Sequence, residues 1–245
     1  MHEEKLNYWE DFEEKYLQLK NKTKTYPEHF LFRGQSEHKL KLETTLERAC
    51  NGKHITLAEY DLLLKKQIAT FKQQYDSCLL CKRRINWITC IDLPILRNIP
   101  GYNCMACLRQ NGFPSPLLDW SQSADVAAYF AFNKAFDNQT EDVSIYMFLE
   151  TVGIGKSFCH DQPHIRSMGH TIDTDHKHIK QRGEYTICVM QDGEWQFASH
   201  EDVFERQDED QDCLWKFSIP VRERQKVLKI LETRNVNANS LGFDS

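Results

Sequence analysis

A turn, a short apolar strand, a polar corner and a small-residue helix follow one another without a break over residues 109–132. No other stretch of the chain restricts the fold as much. Asn111-Gly112 is turn chemistry, and Pro114 and Pro116 then fix φ on either side of Ser115. Leu117-Leu118-Asp119-Trp120 is an apolar run that carries one acid. Ser121 and Ser123 offer an N-cap to a helix with Val126, Ala127, Phe130 and Ala131 on one face. Folds commonly place a site on such a corner. Asp119 has two accounts at this level: an acid that serves a site, or one that caps the following helix.

The second constraint is an arginine at the end of an apolar strand. Residues 29–33, His-Phe-Leu-Phe-Arg, read as a strand running into Gly34, Gln35 and Ser36. Arg33 can contact an anion or a cofactor from a rigid element. It can equally form a core ion pair with an acid such as Asp119, because a buried guanidinium needs an acidic partner.

The remaining elements follow from periodicity. Leu6, Trp9, Phe12, Tyr16 and Leu19 predict an amphipathic helix over 3–20. Residues 43–72 read as helical, with Leu62, Leu63, Leu64, Ile68 and Phe71 apolar, and 73–110 as further helices interrupted near Pro94 and Pro100. Val143–Leu149 is a continuous apolar run of strand length, consistent with burial on both faces. Residues 184–190 and 214–221 read as strands, and 222–233 as a helix with Val227, Leu228 and Leu231 inward. The polar segment 151–178 reads as a functional or mobile loop, and the acidic segment 200–212 as solvated. Helices mixed with non-alternating strands indicate an α+β fold in a single domain, residues 1–245. Its parts are an N-terminal helix in 1–24, a helical segment inserted after the first core strand over 40–108, and the remaining core over 109–245.

Composition narrows the function. The formal net charge of −5 argues against a broad nucleic-acid coat or an anionic membrane as partner, while leaving room for a local basic groove. Lys65-Lys66 and Lys82-Arg83-Arg84, beside Trp87, are candidates for such a rim. No apolar run is long enough to span a bilayer, and the N-terminus lacks the basic-then-apolar order of a signal peptide. Nine cysteines, an odd number with several in apolar helical contexts, suit a reducing, cytoplasmic setting with mostly free thiols. Cys78-x-x-Cys81 and Cys104-x-x-Cys107 resemble four-cysteine zinc spacing. Their gaps are filled by Leu79-Leu80 and Met105-Ala106 rather than by turn residues, which favours buried helical cysteines over a metal. His160, His164, His170, His176 and His178, with Asp161, Asp173 and Asp175, read as surface groups rather than a ligand set, so no metal is expected. Phosphate-binding glycine loops and the G-x-S-x-G elbow are absent from the sequence. Gln181-Arg182-Gly183-Glu184 leads into a strand, which lets Glu184 point into a cleft.

Three separated blocks resemble the FRG domain, a family named for its Phe-x-Arg-Gly motif. They are Phe32-Arg33-Gly34-Gln35; then Arg109–Pro114 leading to Leu117–Ser121 and Ala128–Ala131; then Gln181-x-Gly183-x-Tyr185-Thr186. Asn111, Ser121 and His178 stand where the family commonly has His, Thr and Arg. The same blocks resemble, more distantly, ADP-ribosyltransferases of the Arg–Ser–Glu type. That resemblance implies a split mixed β-sheet flanked by helices, with NAD as substrate. Arg33, Gly34, Gln35, Asp119 and Ser121 would contact the dinucleotide. Arg33 would clamp its pyrophosphate, and Gln181 and Glu184 would supply the catalytic block. Glu184 lies one position later than the acid of those enzymes, where this chain has Gly183. The resemblance further implies a toxin or anti-phage effector acting on a macromolecule, with RNA, DNA or protein as acceptor, and a neutralising antitoxin-type partner. A non-catalytic nucleotide- or partner-binding module is the alternative.

Overall fold

Alternation of side chains along the strands sets the layers. The computed structural model describes residues 1–23, 30–70, 105–106, 109, 112–135, 140–152, 155–157, 159, 161–168 and 176–243. The elements in chain order are β1 (His2–Lys5), α1 (Trp9–Lys22), β2 (Phe30–Gln35), α2 (Thr45–Ala49), β3 (Ile55–Thr56) and α3 (Leu57–Thr70). They continue with β4 (Leu117–Ser121), α4 (Ala124–Asn133), β5 (Asp142–Thr151), β6 (His164–Ser167), α5 (His176–Lys180), β7 (Gly183–Asp192) and β8 (Glu194–Phe197). The chain closes with α6 (His200–Glu205), β9 (Gln211–Pro220), a 3-10 turn (Val221–Glu223) and α7 (Arg224–Thr233). The sheet runs β1-β9-β5-β2-β4-β7-β8-β3, with β6 added on β7. The β1–β9 pair is parallel and the others are antiparallel, so the sheet is mixed and the fold is α+β.

The apolar run in β5 is buried on both faces, as its composition predicts. Val143, Ile145, Met147 and Leu149 pack with Trp9 and Phe12 of α1, with α4, and with Val227 and Leu231 of α7. Tyr146 and Phe148 point the other way, into a cluster with Leu31, Trp120, Phe204 and Leu214. A third cluster joins Tyr60, Phe113, Leu117, Tyr185, Ile187 and Phe197 at the β3 end. Each fully buried large side chain contributes about 1.5–3 kcal/mol.

The approach of α4 to β2 is the tightest packing in the core. Ala127, Ala128 and Ala131 give that helix a shallow face, and Gly34 supplies the matching hollow on the strand. A Cβ built on Gly34 would lie 1.8 Å from the Ala127 carbonyl oxygen. Ser123 caps the helix, its hydroxyl accepting from the Val126 N–H at 3.4 Å.

Four expectations need correction. Residues 2–5 are a strand, not the start of the helix: their polar side chains are exposed, and their backbone pairs with Trp215–Ser218. The helix begins at Trp9, where the Asp11 carboxylate accepts from the Tyr8 N–H at 3.0 Å. Within 40–70 the segment is not wholly helical, since Ile55 and Thr56 pair with Phe197 and Gln196. The segment 151–178 contributes β6 to the sheet. The acidic segment 200–212 is not solvated throughout: His200, Val203 and Phe204 are buried on α6, and Asp212 is buried against Lys156. Charge density on that segment hides a helix whose few apolar side chains all face inward.

His200 closes a buried chain of hydrogen bonds. The Trp120 indole N–H donates to Thr186 Oγ1 at 2.8 Å, and the Thr186 hydroxyl faces His200 Nε2 at 2.9 Å. The direction of that last bond follows the tautomer of the ring, which burial keeps neutral. Burial pushes His200 down to about 3 and His164 down to about 4, and pushes Asp212 up to about 6.

Two predictions follow from this packing. Gly34→Ala should cost about 3 kcal/mol or more in a urea melt, because backbone rather than a flexible side chain occupies the space. The pH dependence has a definite sign. Unfolded histidines protonate near 6.5, while His164 and His200 in the fold stay neutral to about 4 and 3, so stability is lost as pH falls below 6.5. Asp212 acts oppositely between about 6 and 3.8, because the fold retains its proton there. Two groups against one leave a net decline of about 1.4 kcal/mol per pH unit toward pH 4. His200→Gln should flatten that slope in urea midpoints measured across the range.

Candidate functional site

The sheet parts between β2 and β4. Strand β2 registers with β5 through six pairs and β4 with β7 through five, but β2 and β4 share only Phe32↔Ser121. Beyond that pair the strands separate, and Arg33 occupies the fork. Its Nη1 donates to the Asp119 carbonyl at 2.6 Å and lies 3.8 Å from the Asp119 carboxylate. Arg109 donates to the same carboxylate from the other side. The Asp119 side chain is 40% exposed, so one acid at a solvent-facing edge serves two largely buried guanidinium groups. Burial pulls the Arg33 guanidinium below its ordinary value and Asp119 pushes it back up; it remains a cation. Asp119 does not cap the helix, so its role is the ion pair.

A cleft of about 690 Å³ opens at this fork. That is the size of pockets that hold cofactor-sized ligands, ~300–1,000 Å³. Of the sequence-predicted residues, Arg33, Gly34, Gln35, Asp119, Ser121 and Gln181 all line it. Most are committed by their own hydrogen bonds. Ser121 Oγ donates to the Gln181 carbonyl at 2.7 Å and accepts from the Ser123 N–H at 3.0 Å, tying the corner to the turn before β7. Gln181 Nε2 donates to the Leu241 carbonyl, and Gln35 Nε2 to the Lys41 carbonyl. Gly34 is glycine for the sake of α4.

Glu184 is not among the lining residues. It is 1% exposed, and its carboxylate accepts from Gln122 Nε2 at 2.9 Å. The registers Phe32↔Ser121 and Trp120↔Glu184 place it on the face it shares with Arg33, with Trp120 on the strand between them. Ser121 projects to the other face. At about 4.8 Å per strand, Arg33 and Glu184 stand roughly 10 Å apart in the sheet.

The cleft lining is also aromatic and basic. The His178 ring stacks on Tyr185 with centroids 4.9 Å apart and an angle of 10°. It lies so close over Gly183 that a Cβ there would meet the ring at 2.4 Å. Among the described residues, Lys41, Arg48, Lys134 and Lys177 join Arg33 around the cleft, against two acids, Asp119 and Glu43. A chain of net charge −5 therefore concentrates positive charge at one opening.

Sequence reasoning missed Arg109, Gln122 and these four cations as site residues. Only the corner hinted at Gln122, and the cations carry no spacing signal because they come from separate elements. The zinc-like cysteines 78, 81, 104 and 107, the basic run 82–84, Trp87, Asn111, and His160, His170, Asp173 and Asp175 lie outside the described residues. Among the described residues, no three His, Cys, Asp or Glu side chains are placed to hold a metal ion, and no helix is long and apolar enough to cross a membrane.

The shared carboxylate gives a direct test. Asp119→Ala should lower stability by about 1–2 kcal/mol, reduced from the value for a buried pair by its exposure. Combined with Arg109→Ala the losses should be less than additive in a double-mutant cycle; full additivity would mean that the pair contributes nothing.

Comparison with known proteins agrees with the first two sequence blocks. The model of the FRG domain matches residues 28–140, which include β2, β4 and α4. No curated protein and no solved structure gives a significant match. The matched stretch contains the Phe32-Arg33-Gly34 motif, so the arginine filling the fork and the glycine admitting the helix both lie in the part of the chain that is similar to the FRG domain, residues 28–140.

Proposed function

We propose that the cleft binds an NAD-type dinucleotide, with Arg33 on its pyrophosphate, and that the chain transfers ADP-ribose from it to a macromolecule. One observation carries the binding half: a mostly buried guanidinium, held by Asp119, sits at the floor of a cofactor-sized cleft in which cations outnumber acids. A desolvated arginine forms strong charge-assisted bonds to phosphate. The His178 and Phe130 rings in the cleft lining offer apolar surface to the nicotinamide or adenine end.

The transfer half assigns the acid to Glu184. Loss of nicotinamide breaks the bond to ribose C1′ with the electron pair leaving on nicotinamide, and positive charge develops on the ribose. A carboxylate near the ribose hydroxyl stabilises that charge. It then takes the proton as an acceptor oxygen or nitrogen bonds to C1′. In this reading the Glu184 carboxylate turns from Gln122 toward the cleft when substrate is bound, and Gln122 holds it in the meantime. Modifying a macromolecule in this way is the act of a toxin or anti-phage effector, which would require a neutralising partner in its own cell.

A second reading, a nucleotide-binding module without turnover, is favoured by one observation: Glu184 is buried against Gln122 rather than displayed in the cleft. The two readings separate cleanly. Calorimetric titration with NAD should show binding that weakens about tenfold or more in Arg33→Ala. Label from NAD should transfer to a nuclease- or protease-sensitive acceptor in lysate, and Glu184→Gln should abolish transfer while leaving NAD affinity within about twofold. Binding without transfer establishes the module, and absence of both rejects the dinucleotide.

A further inference from the structure

We propose that the mouth of this cleft takes a single-stranded nucleic acid, which is the acceptor if the transfer reading holds. The inference deepens that reading by naming the acceptor class; it stands on cations the dinucleotide does not need, and it shares the Phe130 and His178 rings with the dinucleotide. Lys41 and Arg48 come from the segment after β2, Lys134 from the end of α4 and Lys177 from α5, so separate elements bring their cations to one cleft. Lys41, Arg48 and Lys134 are exposed, and among the described residues none has a carboxylate within ion-pair distance. Other exposed cations are paired, Lys5 with Asp142, Lys226 with Glu10 and Glu223, and Arg234 with Glu13 and Asp125; what sets the cleft apart is that several cations share one opening. Uncompensated cations at one opening of an acidic protein mark where an anion docks.

The charge is more than one dinucleotide uses. A pyrophosphate carries two negative charges and is served by Arg33 with one neighbour. The remaining cations come from separate elements around the cleft, more positive charge than one pyrophosphate needs and enough for a chain of several phosphates. In the same lining, Phe130 and the His178 ring stacked on Tyr185 present partly exposed aromatic surface, together with Leu40, which is 45% exposed. A cationic groove with aromatic rings inside is the arrangement that holds unpaired bases by their faces and the backbone by its charge. A duplex keeps its base faces stacked away from such rings, and an acidic peptide has no rings to stack on them.

The test is fluorescence anisotropy with a labelled oligouridylate of about twelve nucleotides, an oligothymidylate of the same length, the corresponding duplex, and polyglutamate, at about 0.05 M salt. At least one single strand should bind more tightly than the duplex and polyglutamate. The combined Lys41→Ala, Arg48→Ala and Lys134→Ala variant should bind it about tenfold or more weakly, with the salt slope reduced by about 2. Phe130→Leu should weaken binding about fivefold or more at unchanged salt slope. Preference for uridylate identifies RNA; preference for thymidylate, or parity, admits DNA. Polyglutamate binding as tightly as either strand, or a triple variant indistinguishable from the parent, overturns the proposal. NAD calorimetry on the same samples separates the two inferences. NAD binding without strand binding rejects only the strand, and strand binding without NAD binding rejects only the dinucleotide.

Discussion

One guanidinium in the fork of the sheet holds the two halves of this molecule in register. With a single backbone pair between β2 and β4, the ladder cannot do so, and the strands beyond Phe32↔Ser121 have unshared peptide groups. Arg33 answers this by donating to the Asp119 carbonyl, which keeps β4 beside β2 while leaving the gap open. Burying a cation there has a cost that only a nearby acid offsets, hence the Asp119 carboxylate and the second arginine, Arg109, that fixes it. A continuous ladder would have closed the cleft, and an unpaired arginine would have been expelled from it.

The same fork explains why neighbouring motif residues serve different masters. Gly34 belongs to the core, because α4 presses its backbone against β2. Ser121 belongs to the corner, because its hydroxyl bonds both Gln181 and Ser123. Arg33 and Asp119 belong to the cleft. A short motif therefore specifies helix packing, a turn and the buried arginine of the fork together, and removal of one of its residues can abolish function through packing alone.

Elements with strong periodicity were legible in the sequence: the β5 run, the α4 face with its Ser123 cap, and the inward Val227 and Leu231 of α7. Elements defined by pairing were not. Strand β1 carries exposed polar side chains and exists only because β9 offers an edge, and β3 is two residues long. Around the site, Arg33 and Asp119 could be matched from the sequence because an arginine in an apolar strand demands an acid. Glu184 could be placed on a strand, but whether its carboxylate met solvent, a ligand or Gln122 depended on a residue with no distinguishing pattern.

What the sequence determined by itself is local: which stretches bury one face, where the chain turns, and that Arg33 must have an acidic partner. Those follow from hydrophobic period, proline and glycine stereochemistry and the cost of a bare buried charge, all properties of a few consecutive residues or of one residue type. Only the tertiary structure decided that β2 and β4 touch at one pair, that four scattered cations ring one opening, and that Glu184 lies against Gln122. Those depend on strand register between segments more than sixty residues apart in the chain, which no local pattern encodes.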